Sequence, residues 1–171
     1  MTNIEKAIAY ASWYIGRKEK PGNTGFIDPE FEAEMKAAGW IRGNPWCATF
    51  GLLIVFKILV GKLLASAKKT FNASAKQTFD KTKAAGVLQT GTIPEPGAIC
   101  IFLHGHGPAG HEGIVEAVNF KTNTMTLIEG NTNASGSREG DQVARKLRTI
   151  TRPFTATGLN VYGYIYLREK Q

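Results

Sequence analysis

The chain has 171 residues, and 21 lysines and arginines against 14 aspartates and glutamates give a formal charge of +7. Its length suits one domain with a real core, and 43% hydrophobic with 20% charged residues exclude a disordered chain. Two cysteines exclude a disulfide framework, while the positive charge asks for an anionic partner without choosing among nucleic acid, cell wall and membrane surface.

In chain order, Thr2-Asn3-Ile4-Glu5-Lys6 opens an amphipathic helix whose apolar side is expected from Ile4, Ala7, Ile8, Ala11 and Trp13 to Ile15. No secretory pattern precedes it, so synthesis in the cytoplasm without a signal peptide is expected. Asp28-Pro29 predicts a short second helix through Ala38, ended by Gly39. Asn44 and Pro45 then supply a cap and a first position for a long apolar helix from Trp46 to Leu64. Lys57, Gly61 and Lys62 interrupt that run, which reads as a buried central helix rather than a membrane span. Asn72 to Ala85 predicts a further helix, rich in lysine and alanine. From Pro96 onward the chain turns strand-like, near 98–103, 113–119, 124–130, 143–150 and 160–167. Helices first and strands later predict an α+β domain covering residues 1–171, with no repeat and no linker to a second module.

Two parts of this plan carry chemistry. Cys47 falls in the first turn of the central helix, among unpaired N–H groups at the positive end of the helix dipole. Such a position lowers a thiol's pKa, and the same N–H groups can receive an oxyanion. The bland alternative is a buried small hydrophobe. A nucleophilic cysteine needs a base, and the three histidines lie together in His104-Gly-His106-Gly-Pro-Ala-Gly-His111. His111 stands where a glycine-rich connection meets the run Gly113 to Val118, and Thr124 to Asn131 follows after a polar turn. The two runs read as an antiparallel hairpin on which Glu129 and Asn131 share a face. A turn centred near Thr122 would put Asn131 one diagonal step from His111, where a polar group can hold the imidazole.

Pro45-Trp46-Cys47-Ala48-x-Phe50, Gly110-His111-x-Gly113-Ile114-Val115 and Ile128-Glu129-Gly130-Asn131-Thr132 resemble the three motifs of CHAP amidohydrolases. Those are papain-like cysteine peptidases and amidases that cut bacterial peptidoglycan. Gly16-x-x-Glu19-x-Pro21-x-Asn23-x-Gly25 resembles the N-terminal signature of phage and bacterial members, and Pro96 to Ile99 the turn into the first core strand. Ser137 to Val143 and Gly163-Tyr164-Ile165 resemble the closing segments, so the likeness runs from about Ile4 to Leu167. It implies a papain-like fold, with N-terminal helices and the nucleophile at the start of a central helix packed on a C-terminal antiparallel sheet. It implies Cys47 as nucleophile, His111 as base, Glu129 as the partner of the histidine and Asn131 as a further polar member. The chain departs from the family pattern at Ala98, where an acidic residue is common, and at Glu112, where an apolar one is usual. No Asp-rich loop precedes Cys47, so neither a metal nor another cofactor is expected.

The resemblance also implies the substrate, an amide bond of bacterial peptidoglycan, reached from the cytoplasm as a phage endolysin with a holin, or as an effector with a secretion system. No nucleic acid partner and no stable membrane insertion are expected. Three other functions use the same residues: a silent wall-binding module, a papain-like acyltransferase or transpeptidase, and a basic nucleic-acid-binding protein. Cys100, His104, His106 and His111 as a metal cluster is a further alternative. Cys100, however, sits inside the apolar run Ile99 to Leu103 and reads as core, His104 and His106 as rim residues, and Glu116 as solvent-facing.

Overall fold

A computed structural model describes residues 1–132 and 140–170. Helix α1 (Asn3–Trp13) starts on a capping box, in which the Thr2 hydroxyl accepts from the Glu5 N–H and the Glu5 carboxylate accepts from the Thr2 N–H at 2.7 Å. Its buried stripe is Ala7 and Ala11, continued by Tyr14. Ile4 and Trp13, expected on that side, are 41% and 72% exposed. The small alanines let α1 lie close to the central helix, which leaves the larger neighbours on the rim. In α2 (Pro29–Ala37), Asp28 accepts from the N–H groups of Glu30 and Phe31, with Pro29 at the first position.

The long apolar run divides in two. Helix α3 (Cys47–Ile58) is buried at every position from Cys47 to Val55, as a helix apolar on all sides must be. Leu59 and Val60 then take extended conformations before α4 (Gly61–Thr70). The core ends here, since Leu59 is 2% exposed and Val60 77%. The predicted start is also corrected. Asn44 does not cap the helix; Trp46 holds the cap position without a side-chain cap bond, and Cys47 is the first helical residue. The Asn44 carbonyl instead accepts from the Trp40 indole at 3.1 Å. Helix α5 (Ala75–Ala85) begins at Ser74 and stops at Gly86, whose φ of 64° closes it in the left-handed region.

The strands are β1 (Leu88–Gly91), β2 (Ile99–His104), β3 (Gly110–Asn119), β4 (Thr124–Thr132), β5 (Gln142–Thr149) and β6 (Leu159–Glu169). They form an antiparallel sheet in the order β1-β6-β2-β3-β4-β5. Only β1 is absent from the sequence reading, because four residues at a sheet edge carry too short a pattern. Alternation sorts the strands into two cores. Ile99, Ile101, Ile114, Ile128, Ile165 and Leu167 pack with the helices. Cys100, Phe102, Val115, Leu127, Tyr164 and Tyr166 form a second cluster on the opposite face.

The segment after α1 crosses to β5. Gly16 N–H donates to the Val143 carbonyl at 2.9 Å, and Val143 N–H returns to Arg17 at 3.0 Å. The N-terminal signature and the closing segment are therefore neighbours; Ser137, Arg138 and Glu139 of the latter lie outside the described residues. Among the described residues, no helix is long and apolar enough to cross a membrane.

Candidate active site

The position of Cys47 is set by its neighbour. Trp46 is fully buried and meets Phe26, Phe31 and Phe50 edge-on at centroid distances of 5.1, 6.0 and 6.4 Å. Its indole N–H donates to the carboxylate of Glu19, the acidic residue of the N-terminal signature. Strand β4 closes on the same spot through Gly130. A Cβ there would lie 2.7 Å from both Phe50 Cβ and Trp46 Cζ3, so only glycine lets strand and helix meet. The aromatic cluster and β4 thus clamp the helix start, and Cys47 follows at the dipole's positive end.

His111 enters from β3, opposite Phe102 of β2. The β3–β4 ladder pairs Ile114 with Ile128 and Val115 with Leu127, then shifts register between Val115 and Ala117. That irregularity moves the hairpin off the expected turn centre. The residue that meets the imidazole is Glu129: His111 Nε2 lies 2.9 Å from Glu129 Oε2. A Cβ at Gly113 would sit 2.6 Å from Glu129 Cγ, so the glycine two residues after the histidine makes room for the carboxylate. Asn131 has a φ of 53°, at a break in the β4–β5 ladder, and lines the groove beside Cys47.

With Nε2 given to Glu129, Nδ1 is the ring nitrogen left for the Cys47 thiol, which hydrogen-bonds the His111 side chain. Burial pushes the thiol's pKa up, but the His111 charge and hydrogen bond, with the N–H groups of Glu112 and Ala48, bring it below the ordinary value. Burial alone would make His111 more acidic; Cys47 and Glu129 outweigh it and hold the imidazolium to about 10. Glu129 has no exposed surface, yet hydrogen bonds from His111 and Arg148 keep its carboxyl ionised down to about 2. The four groups favour a thiolate beside an imidazolium beside a carboxylate.

Arg148 is the member that the sequence reading missed. Its Nε donates to Glu129 Oε1 at 2.7 Å and its Nη2 to Oε2 at 2.6 Å, a two-pronged pair. On β5 it is aligned with Met125, and its side chain runs back along the face shared by Leu127 and Glu129. No local motif marks it, since an arginine among alternating strand residues reads as a solvated face.

Glu112, noted as a departure, is 1% exposed, and neither carboxyl oxygen has a hydrogen-bond partner. It points at α3, where the missing side chain of Gly51 makes space for it. Burial and the Cys47 charge push its pKa well above the ordinary range, which favours the neutral carboxyl. An ionised Glu112 would oppose the thiolate. Glu116 is paired with Arg145 at 2.8 Å in an exposed ion pair.

Cys47, His111 and Asn131 open onto a groove of about 1280 Å3, walled also by Asn23, Lys146, Arg148, Phe154 and Tyr162. His104 lines it, while the His106 ring stacks on Phe154 at 4.5 Å. Cys100 is buried against Tyr164, and burial pushes its thiol well up. Among the described residues no three potential ligands cluster.

An antiparallel sheet behind N-terminal helices, with a thiol at the start of the central helix and a histidine on the facing strand, defines a papain-like α+β protein. The CHAP domain profile matches residues 39–131, more than half of the chain and inclusive of Cys47, His111, Glu129 and Asn131, and the chain belongs to that family. CHAP domains are in general amidases and peptidases of the peptidoglycan-hydrolase type. No curated protein and no solved structure matches the chain significantly.

Proposed function

We propose that this protein hydrolyses amide bonds of bacterial peptidoglycan, with the whole chain acting as one catalytic domain. The observation that carries the reading is the contact chain Cys47–His111–Glu129, whose first two members line a groove of about 1280 Å3 while the third is buried behind them. Cys47 Sγ attacks the amide carbonyl as a thiolate, and N–H groups of the first turn of α3 hold the oxyanion. His111 passes its Nδ1 proton to the leaving amine, releasing one fragment and leaving a thioester. Water, deprotonated by His111, then attacks the thioester, freeing the acyl fragment as its acid and restoring the thiolate beside the imidazolium. Asn131 serves as a polar group beside the thiol. The family and the basic charge support a wall substrate, and a phage lysin that reaches the wall through membrane lesions is the biological setting we favour.

Mass spectrometry of fragments released from purified peptidoglycan tests the proposal. New fragments with the wild type and none with Cys47→Ala are expected, and the fragment masses name the bond. Silence from both across walls of several chemotypes would overturn it.

A further inference from the structure

We infer that Arg148 is a positioning residue for the proposed catalysis, acting through Glu129 to hold His111 in its working orientation. The inference rests on the reading of Cys47 and His111 as nucleophile and base. Its ground is geometric. The Glu129 carboxylate is wholly buried, and each oxygen is committed: Oε1 accepts from Arg148 Nε, while Oε2 accepts from both Arg148 Nη2 and His111. A bidentate arginine fixes the plane of a carboxylate, not only its charge, so the direction of Oε2 toward the imidazole is set from β5. A second contact supports the frame. The guanidinium lies over the Phe102 ring at 5.7 Å, and Phe102 in turn faces His111 at 6.3 Å. Arg148, Glu129, His111 and Phe102 therefore close a ring drawn from four strands, with the thiol at its open corner.

The charge count requires the same residue. Two carboxyls flank the Cys47–His111 pair, Glu129 on β4 and Glu112 on β3, with Cys100 on β2 as a further titratable group. Glu112 has no hydrogen-bond partner and its pKa is pushed up, whereas that of Glu129 is held down to about 2 although it is also buried. What separates them is partners, and Arg148 is the one whose charge does not depend on pH. A buried carboxylate deprived of its cation takes up a proton or turns toward solvent. Either change releases the imidazole.

The pH profile of Cys47 alkylation by iodoacetamide, followed by mass spectrometry, reads the thiolate–imidazolium pair without any substrate. Arg148→Ala should shift the acid limb of that profile upward by about one pH unit, because Glu129 then protonates at higher pH. On peptidoglycan, kcat should fall about 10- to 100-fold, as for other partners that orient a reacting group, with KM changed less than about two-fold. Arg148→Lys, which keeps the charge but not the fork, should recover part of the acid limb and little of kcat. In a Glu129→Gln background, Arg148→Ala should add almost nothing, since its route is removed. The lysine variant and the double variant serve if the alanine variant folds poorly. An unchanged alkylation profile in a folded Arg148 variant, or a loss confined to KM, would overturn the inference. If wild type itself releases no fragments, the proposed function fails instead, and the alkylation profile still judges Arg148.

Discussion

His111 presents Nε2 to Glu129 Oε2 at 2.9 Å, and Glu129 has no exposed surface. The imidazole is thus anchored at one end by an anion that water cannot screen, while its other nitrogen faces Cys47 at the start of α3.

Removal of either end of the contact chain should abolish turnover. Cys47→Ala and His111→Ala are each expected to reduce kcat/KM at least about 10³-fold, since residues that act as a unit fail together. Near-UV circular dichroism should show native packing in both. Full activity in a folded variant of either would refute the assignment.

Glu129 and Asn131 should separate. Glu129→Gln keeps a hydrogen bond but loses the charge that stabilises the imidazolium, and about a 10²-fold fall in kcat/KM is expected. Asn131→Ala, which leaves the ion pair intact, should cost less than about ten-fold. Steady-state kinetics on one defined muropeptide would decide, and the reverse ranking would make the amide the principal partner.

The same groups predict a window of stability. Glu129 ionises at about 2 when folded against an ordinary value of 4.5, so its contribution is complete above 4.5 and is lost as pH falls toward 2. His111 holds its proton to about 10 against 6.5, so its contribution is complete below 6.5 and is lost as pH rises through 10. Denaturant midpoints across pH should therefore fall less steeply at both extremes in the His111→Ala variant than in wild type.

Glu112 works in the opposite sense. Its carboxyl is raised when folded, so the folded state binds a proton that the unfolded chain gives up above 4.5, and stability declines as pH rises from there. Glu112→Gln should remove that slope. Glu112→Met, which also deletes two unpartnered oxygens, should stabilise the fold at pH 7 by about 1–3 kcal/mol. Urea denaturation at several pH values would measure both, and a destabilised Met variant would mean that the carboxyl has a partner in solution.

The two thiols should also differ. An alkylating probe used in stoichiometric amount is expected on Cys47 and not on Cys100, whose thiol is fully buried with its pKa pushed up. Cys100→Ser should keep turnover while lowering stability by about 1–3 kcal/mol if the new hydroxyl finds no partner. Peptide mapping after labelling would expose a misplaced nucleophile at once.

Much of this molecule was legible from local pattern. Asp28-Pro29 marked α2, strand-like runs marked five of the six strands among the described residues, and the order of helices before strands gave the α+β class. The motifs around Cys47, His111 and Glu129 were legible for the same reason, since each pairs a reactive side chain with the turn or strand that presents it. Sequence alone thus determined the element types, the family resemblance and the candidate nucleophile and base. Tertiary structure decided the rest. It moved the cap of α3 from Asn44 to Trp46, whose indole is pinned by Glu19 and by aromatic rings from distant segments. It brought the Glu129 carboxylate to 2.9 Å from the imidazole, a contact between two strands that neither run displays by itself. It added Arg148, which reaches Glu129 across 19 positions of chain. Periodicity and capping report what a residue does to its neighbours in sequence; ion pairs and registers are settled only when strands meet.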